Sequence, residues 1–169
     1  FHKVDDPYSH LTIHYIDKIK STFDVVLKPV LVGEENAEAV HEPTLYNLYC
    51  LEDAKRIAPF YDIELSAESY PSKELIDQSN SILVSVEEDN FSEVAKKVSS
   101  AIWTGDRDSL NKLSTHYAST ITEVANKLEE GNKIRNENGY YFGSAFYYEK
   151  ELYWGVDRLN HLEDRLIEL

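Results

Sequence analysis

The sequence predicts a mixed α/β domain in which a βαβ unit and a ββα unit enclose a long helical block. Over residues 1–33, a short apolar segment, an amphipathic helical pattern and a β-branched run follow one another, an order typical of a βαβ unit. Residues 43–132 carry only helical patterns, and residues 139–169 combine two aromatic runs with a last helical pattern. We therefore expect one domain over residues 1–169, with a core at about 1–33 and 139–169 and a helical insertion at about 43–132.

The first helix is expected to begin at Pro7. Asp6 can accept hydrogen bonds from the backbone N–H groups of the first turn, and proline at the first helical position loses no hydrogen bond. If Asp6 only caps, Asp6→Ala should cost about 1 kcal/mol, and serine or asparagine should replace it at little cost. Residues 1–4 and the run "FDVVLKPVLVG" at 23–33 are the expected strands on either side of this helix.

Proline, serine and glycine divide the helical insertion. Pro59 is expected to end its first helix, Ser72 to cap the next, and Gly131 to end the last. Ser92 and Glu93 lie near the expected start of a further helix.

Two aromatic runs predict a C-terminal β-hairpin. The stretch "AFYYEKELYWG" places them around a charged tip at residues 149–151. Asp157 is expected to cap a last helix. The apolar positions of that helix are Leu159, Leu162, Leu166 and Leu169. Without the helical insertion, the order of elements, βαβ followed by ββα, is that of the thioredoxin fold.

Charge and cysteine content exclude several classes of function. The chain has 17 basic and 31 acidic residues and a net charge of −14, so we expect no nucleic-acid partner. No apolar run approaches the ~20 residues of a membrane span, and there is no leader, so we expect no membrane partner and a cytoplasmic location. Cys50 is the only cysteine, which excludes dithiol–disulfide exchange by the chain's own thiols. The chain begins at Phe1 without any methionine, so its true start is expected to be missing.

Five stretches occur in the order found in one known superfamily. They are "DDPYSHL", "LKPVLVG", "LEDAKRIAPFYDIEL", "AIWTGDRD" and "ELYWGVDRLNHLEDRL". Together they resemble the DsbA-like thioredoxin superfamily, and within it the branch of 2-hydroxychromene-2-carboxylate isomerases and kappa-class glutathione transferases. The resemblance covers nearly the full chain. It implies a thioredoxin fold with a helical insertion, glutathione as cosubstrate and a small hydrophobic or aromatic substrate, and a homodimer is one assembly that it allows.

The resemblance also implies where catalytic residues should lie. Redox members of the superfamily carry C-P-x-C at the start of the first helix, and glutathione-using members resemble S-P-Y-S. This chain has D-P-Y-S at residues 6–9. Asp6 therefore takes the position of the cysteine or serine, and Ser9 takes the second position.

A glutathione site is implied by the same resemblance. The family places a cis-proline before the hairpin, and the corresponding position here is Ser144, or Ala145 after a one-residue shift. In the glutathione users, the aspartate of a G-x-D-R stretch meets the γ-glutamyl ammonium group. Ser144, Val156 and Asp157, with Arg158, are accordingly the implied glutathione-binding residues.

Each of these residues also has a purely structural interpretation. A carboxylate at a helix N-terminus is stabilised as the anion, so we favour Asp6 as a cap over Asp6 as a general base. Ser9 is either a hydrogen-bond donor to a ligand sulfur or an exposed serine of the first turn. For Arg158 we favour pairing with Glu163 or Asp164 over pairing with a ligand carboxylate.

Aromatic and histidine residues offer weaker site hypotheses. Trp103 and Trp154 could line an aromatic substrate pocket, but we expect both to pack in the core. His10 and His14 have the i, i+4 spacing of a metal pair, yet no third ligand is evident, so no metal is expected. Cys50, inside a helical pattern, is expected to be a small buried hydrophobic residue.

Two functions follow from the sequence. The first is a variant glutathione-dependent isomerase or transferase with a non-standard D-P-Y-S tetrad. The second is a catalytically degenerate thioredoxin-fold domain that serves binding, dimerisation or scaffolding.

Overall fold

Seven α-helices and one antiparallel β-hairpin make up the computed structural model, which describes residues 1–34 and 38–168. The expectation of a mixed α/β domain is thereby confirmed for this part of the chain. The elements are α1 Pro7–Thr22, α2 Pro43–Ile57, α3 Lys73–Val84, α4 Glu88–Thr104, α5 Arg107–Ser114, α6 Ile121–Glu137, β1 Ala145–Tyr148, β2 Glu151–Trp154 and α7 Leu159–Ile167, with 3₁₀ turns at Ala58–Tyr61 and Val156–Arg158.

Backbone hydrogen bonds align four segments side by side. His2 donates to the carbonyl oxygen of Val30 (2.9 Å) and accepts from the backbone nitrogen of Val32 (3.0 Å), which makes a parallel contact. On its other side, the nitrogen of Phe1 donates to the carbonyl oxygen of Ala145 (2.7 Å), and Ala145 donates back to Phe1 (3.4 Å). β1 pairs with β2 in antiparallel register. The order is therefore the segment after α1, the segment before α1, β1 and β2.

The expectation of continuous strands at residues 1–4 and 23–33 is wrong. Each segment contributes a single bridging residue, His2 or Leu31. The first segment turns into α1 after Lys3, whose carbonyl oxygen accepts from Asp6 (3.3 Å). A second segment can therefore pair with the first over only a few residues. Val26 lies outside this short pairing and is 87% exposed.

Helix α6 does not end at Gly131, as expected, but continues to Glu137. Gly131 instead lies against the extended segment, because a Cβ at this position would come within 1.8 Å of the carbonyl oxygen of Leu31. The next residue, Asn132, accepts a hydrogen bond from the backbone nitrogen of Gly33 (2.9 Å). The glycine thus allows α6 to dock on the extended segment that contains Leu31.

Several local expectations are confirmed. Ser72 caps α3 by accepting from the backbone nitrogen of Leu75, and α2 gives way to a 3₁₀ turn that contains Pro59. The hairpin tip is Glu149 and Lys150, both with positive φ (46° and 72°), as a two-residue turn with the right-handed strand twist requires.

Two helix starts differ from expectation. α4 begins at Glu88 rather than near Ser92. α7 begins at Leu159 without a side-chain cap, and Asp157, the expected cap, lies inside the preceding 3₁₀ turn. The turn starts at Gly155, whose φ of 73° redirects the chain out of β2. The expected apolar face of α7 is buried at Leu159, Leu162 and Leu166, and Leu169 lies outside the described residues.

The core forms where α1 packs against α2 and α4, and where α3 packs against α4, α5 and α6. Trp103 (4% exposed) and Cys50 (3% exposed) are buried, as expected. None of the described helices combines the length and the apolar composition needed to cross a lipid bilayer.

Gly131→Ala tests the docking of α6. Alanine favours a helix over glycine by about 1 kcal/mol, but the new Cβ would collide with a backbone oxygen that cannot rotate away. We expect a net loss of about 2–3 kcal/mol in the free energy of unfolding, measured in urea. Asn126→Ala, at an exposed position of the same helix, is the control and should lose nothing. Equal stability of the two variants would contradict the close approach.

Candidate functional site

Asp6 is the N-cap of α1, which confirms the structural interpretation of this residue. Its backbone is extended (φ −95°, ψ 119°), and its carboxylate accepts hydrogen bonds from the backbone nitrogens of Tyr8 (3.3 Å) and Ser9 (2.9 Å). The hydroxyl of Ser9 also donates to it (2.8 Å).

The same carboxylate accepts a hydrogen bond from outside the helix. The backbone nitrogen of Ser144, 138 residues away, donates to Asp6 Oδ2 (3.0 Å). The neighbouring residue must be glycine, because a Cβ on Gly143 would lie 2.7 Å from that oxygen. Asp6 therefore joins the start of α1 to the start of the hairpin. The local sequence pattern gives no sign of this contact, because its two residues are 138 positions apart.

Ser9 and Ser144 are both completely buried, so the expectation of an exposed Ser9 is wrong. The Ser9 hydroxyl accepts from the backbone nitrogen of Lys3 (3.2 Å) while it donates to Asp6. The Ser144 hydroxyl bonds to that of Thr12 (3.0 Å), and its carbonyl oxygen accepts from the backbone nitrogen of Gly155 (3.1 Å). Both serines are thus committed to internal hydrogen bonds. The peptide bonds on either side of Ser144 are trans.

Three aromatic rings stack beside Asp6. The ring of Phe142 lies between those of Tyr46 (centroids 5.6 Å apart, 16° between planes) and Trp154 (5.2 Å, 12°). All three line a cleft next to Asp6 whose volume is about 10 Å³, which is room for roughly one water molecule. Trp154 is 43% exposed, so the expectation that it packs in the core is wrong.

Cys50 borders this cleft from α2. Burial raises the pKa of its thiol to about 11, so the thiol is protonated at neutral pH and is a poor nucleophile. Nearby, the hydroxyl of Tyr8 donates to Asp53 (2.7 Å). Burial, together with this hydrogen bond, raises the pKa of Tyr8. Burial thus favours the neutral forms of Cys50 and Tyr8.

The remaining implied glutathione residues lie apart from the cleft. Val156 is buried, and its carbonyl oxygen accepts from the hydroxyl of Tyr61 (3.1 Å). Asp157 and Arg158 pair with each other (3.1 Å), and both side chains are more than half exposed. The expected pairing of Arg158 with an acidic residue of α7 is therefore wrong. The structure brings together Asp6, Ser9 and Ser144, whereas the ligand role of the other three stays a prediction.

His10 and His14 engage serines of α4. The Nε2 atom of His10 donates to the carbonyl oxygen of Glu64 (2.9 Å), so Nδ1 accepts from the Ser99 hydroxyl (2.8 Å). His14 Nε2 lies 3.2 Å from the hydroxyl of Ser100. Burial lowers the pKa of His10, and it lowers that of His14 to about 4. Over residues 1–34 and 38–168, no group of three or more His, Cys, Asp or Glu side chains is placed to hold a metal ion.

Comparisons of the chain with family models, with curated proteins and with solved structures gave no match. Inferences about its fold family and its function therefore rest on its own residues and contacts.

Replacing Asp6 tests whether it does more than cap a helix. Asp6→Ala removes the cap, worth about 1 kcal/mol, and leaves the buried N–H of Ser144 unpaired, which costs about 1–3 kcal/mol more. We expect a loss of about 2–4 kcal/mol in the free energy of unfolding. Asp6→Ser should lose about 1–3 kcal/mol, because serine keeps the cap but its hydroxyl is too short to reach Ser144. Asp6→Asn should lose less.

Asp106 provides a matched control. It caps α5 through the same D-x-x-S arrangement, with hydrogen bonds from the backbone nitrogen and hydroxyl of Ser109 (3.0 and 2.6 Å), but it is exposed. Asp106→Ala should therefore destabilise the protein much less than Asp6→Ala. Equal losses in the two variants would mean that the bond to Ser144 adds no stability.

Proposed function

We propose that this chain is a thioredoxin-fold domain of the DsbA-like superfamily, related to the 2-hydroxychromene-2-carboxylate isomerases and kappa-class glutathione transferases, in which the catalytic position has become structural. Such a domain acts by binding or scaffolding rather than by catalysis. The observation that carries the proposal is the Asp6 carboxylate, which accepts four hydrogen bonds from the protein itself.

The arrangement of the four hydrogen-bonded segments supports the fold. Two parallel segments flank α1, and the hairpin lies antiparallel on the other side of the first segment. In the thioredoxin fold, a βαβ unit and a ββα unit are joined in this order. The helices α2 to α6 lie in sequence between these two units, which is consistent with the helical insertion that the resemblance implies.

The chemistry around Asp6 supports a non-catalytic role. A carboxylate has about four lone-pair positions for hydrogen bonds. Three protein donors reach Oδ2 of Asp6 and one reaches Oδ1 (3.3 Å), so Oδ2 is fully occupied by the protein. A carboxylate also repels the thiolate that a glutathione-dependent reaction needs. The adjacent cleft of about 10 Å³ has no room for a tripeptide.

A glutathione-dependent isomerase or transferase is the second candidate. The exposed pair of Asp157 and Arg158 favours it, because the two side chains offer opposite charges to the ammonium and carboxylate groups of glutathione. Under this alternative, glutathione would have to displace the rings of Tyr46, Phe142 and Trp154 to bring its sulfur near Asp6.

Calorimetric titration with reduced glutathione separates the two candidates. We expect no saturable heat for the parent protein at millimolar glutathione, because the cleft is filled by side chains. The enzyme alternative predicts one-to-one binding that Asp157→Ala weakens and that Asp6→Ser tightens, since the serine removes a negative charge near the sulfur. Asp164→Ala, at an exposed acidic residue of α7, is the control for charge removal alone. One-to-one binding that Asp157→Ala weakens, Asp6→Ser tightens and Asp164→Ala leaves unchanged would contradict the non-catalytic proposal.

A further inference from the structure

A groove of about 570 Å³ lies between α4 and α5, which are joined by a short turn at Gly105. We call it the α4–α5 groove. Its exposed walls are mostly apolar, and they include Ala101 of α4 and Leu113 of α5. Sites for small molecules have volumes of about 300–1,000 Å³ and are mainly apolar with a few polar groups. The described residues that line this groove are all different from those that line the cleft at Asp6, so the two are separate sites.

The charges on the walls of the α4–α5 groove reverse the balance of the whole chain. Lys96, Lys97 and Lys112 line it, and Asp106 is its acidic residue, although the chain has 31 acidic and 17 basic residues. His14, also on the wall, adds no charge at neutral pH, because burial lowers its pKa to about 4. Three ammonium groups against one carboxylate favour an anionic ligand over a cationic one.

Two of the three lysines already have acidic partners. Lys96 pairs with Asp17, and Lys97 pairs with Glu93 (2.6 Å). Lys112 is exposed and forms no ion pair with any residue of 1–34 or 38–168. The ammonium group of Lys112 is therefore the one on these walls that remains available to a ligand, and a single negative charge would match it.

The lysines and the aspartate lie at opposite ends of the α4–α5 groove. Lys112 is in the last turn of α5, and Tyr117, three residues beyond that helix, interacts electrostatically with Lys97. Asp106 caps the other end of α5, about 9 Å away along the helix axis, where it accepts from the backbone nitrogen of Ser109 (3.0 Å). The N-terminal dipole of α5 also offsets its charge. The groove thus has one cationic end, with Lys97 and Lys112, and an apolar wall that leads away from it.

We propose that the α4–α5 groove binds a small amphipathic monoanion, an apolar chain that ends in one carboxylate. The carboxylate lies at the cationic end and accepts hydrogen bonds from Lys112 and Lys97. The apolar chain lies along Ala101 and Leu113 and is removed from water there. Lys97 can turn away from Glu93 at little cost, because an exposed i, i+4 ion pair contributes little to stability. The proposal does not rest on the proposed function, since the groove is separate from the cleft at Asp6.

Both parts of the ligand follow from the walls of the groove. An inorganic anion would use only the cationic end and would leave the apolar wall exposed to water. A neutral apolar molecule would leave the ammonium group of Lys112 without a partner. A ligand with both parts uses the whole groove.

Titration with octanoate, followed by two-dimensional NMR of the backbone amides, tests the proposal. The parent protein should show saturable shifts at Ala101 and Leu113 at millimolar octanoate. Acetate keeps the charge and lacks the chain, so it should cause little shift at the same concentration. Octanamide keeps the chain and lacks the charge, so it should bind about fivefold more weakly than octanoate, or weaker still.

Lys112→Gln tests the cationic end. It should weaken octanoate binding by about fivefold or more, because it removes the unpaired ammonium group. Lys20→Gln is the matched control, since Lys20 is also an exposed lysine in the last turn of a helix but does not line the groove. It should leave the affinity unchanged.

Thr104→Phe tests the place of the apolar chain. Thr104 is the exposed last residue of α4 and lines the groove, so the larger ring should fill the groove and abolish octanoate binding. Thr22→Phe, at the exposed last residue of α1, is the control and should bind as the parent does. Circular dichroism should show the same helix content in both variants.

Three results would overturn the proposal. The first is a parent protein without saturable shifts at Ala101 and Leu113. The second is an octanamide affinity equal to that of octanoate, which would mean that the charge is not recognised. The third is equal affinity in Lys112→Gln and Lys20→Gln, which would place the carboxylate elsewhere.

Discussion

The carboxylate of Asp6 accepts hydrogen bonds from two parts of the chain that are 138 residues apart. The backbone nitrogens of Tyr8 and Ser9, in the first turn of α1, donate hydrogen bonds to it. The backbone nitrogen of Ser144, at the start of the hairpin, donates another. Gly143 permits this approach because any side chain there would strike the carboxylate. This joint lies next to the Phe1–Ala145 hydrogen bonds that hold β1 beside the first segment, and next to Phe142 of the aromatic stack.

A catalytic group and a structural joint make opposite demands on the same position. A nucleophile or base at the start of α1 needs a free lone pair and space for a substrate. Asp6 instead has three protein donors on Oδ2, one on Oδ1, and a cleft of about 10 Å³ beside it. Cys50, the thiol at that cleft, is held protonated by burial. Under the proposed function, the hydrogen bonds that stabilise the start of α1 also occupy the carboxylate at the position where the resemblance places a catalytic residue.

Local chemistry explains what could be predicted from the sequence, and long-range contacts explain what could not. The start of α1 and the cap at Ser72 depend on residues a few positions apart, so their sequence patterns are sufficient. The local pattern indicates a helix end at Gly131, because the contact of this residue with Leu31, 100 positions away, leaves no mark on that pattern. The burial of Ser9 was missed for the same reason, since it depends on packing against the first segment and the hairpin. Strand lengths at residues 1–4 and 23–33 were overestimated, because a β-branched run forms a ladder only where a partner of equal length exists.

Hydrogen exchange at the amide of Ser144, followed by NMR in the parent protein and in Asp6→Asn, tests the central claim most directly. If the Asp6 carboxylate holds this amide, its exchange in the parent should be slow and comparable to that of the buried amides of α1, and it should accelerate in the variant more than the amides of α1 do. Fast exchange at Ser144 in the parent protein would contradict the account, because the joint between α1 and the hairpin would then be open in solution.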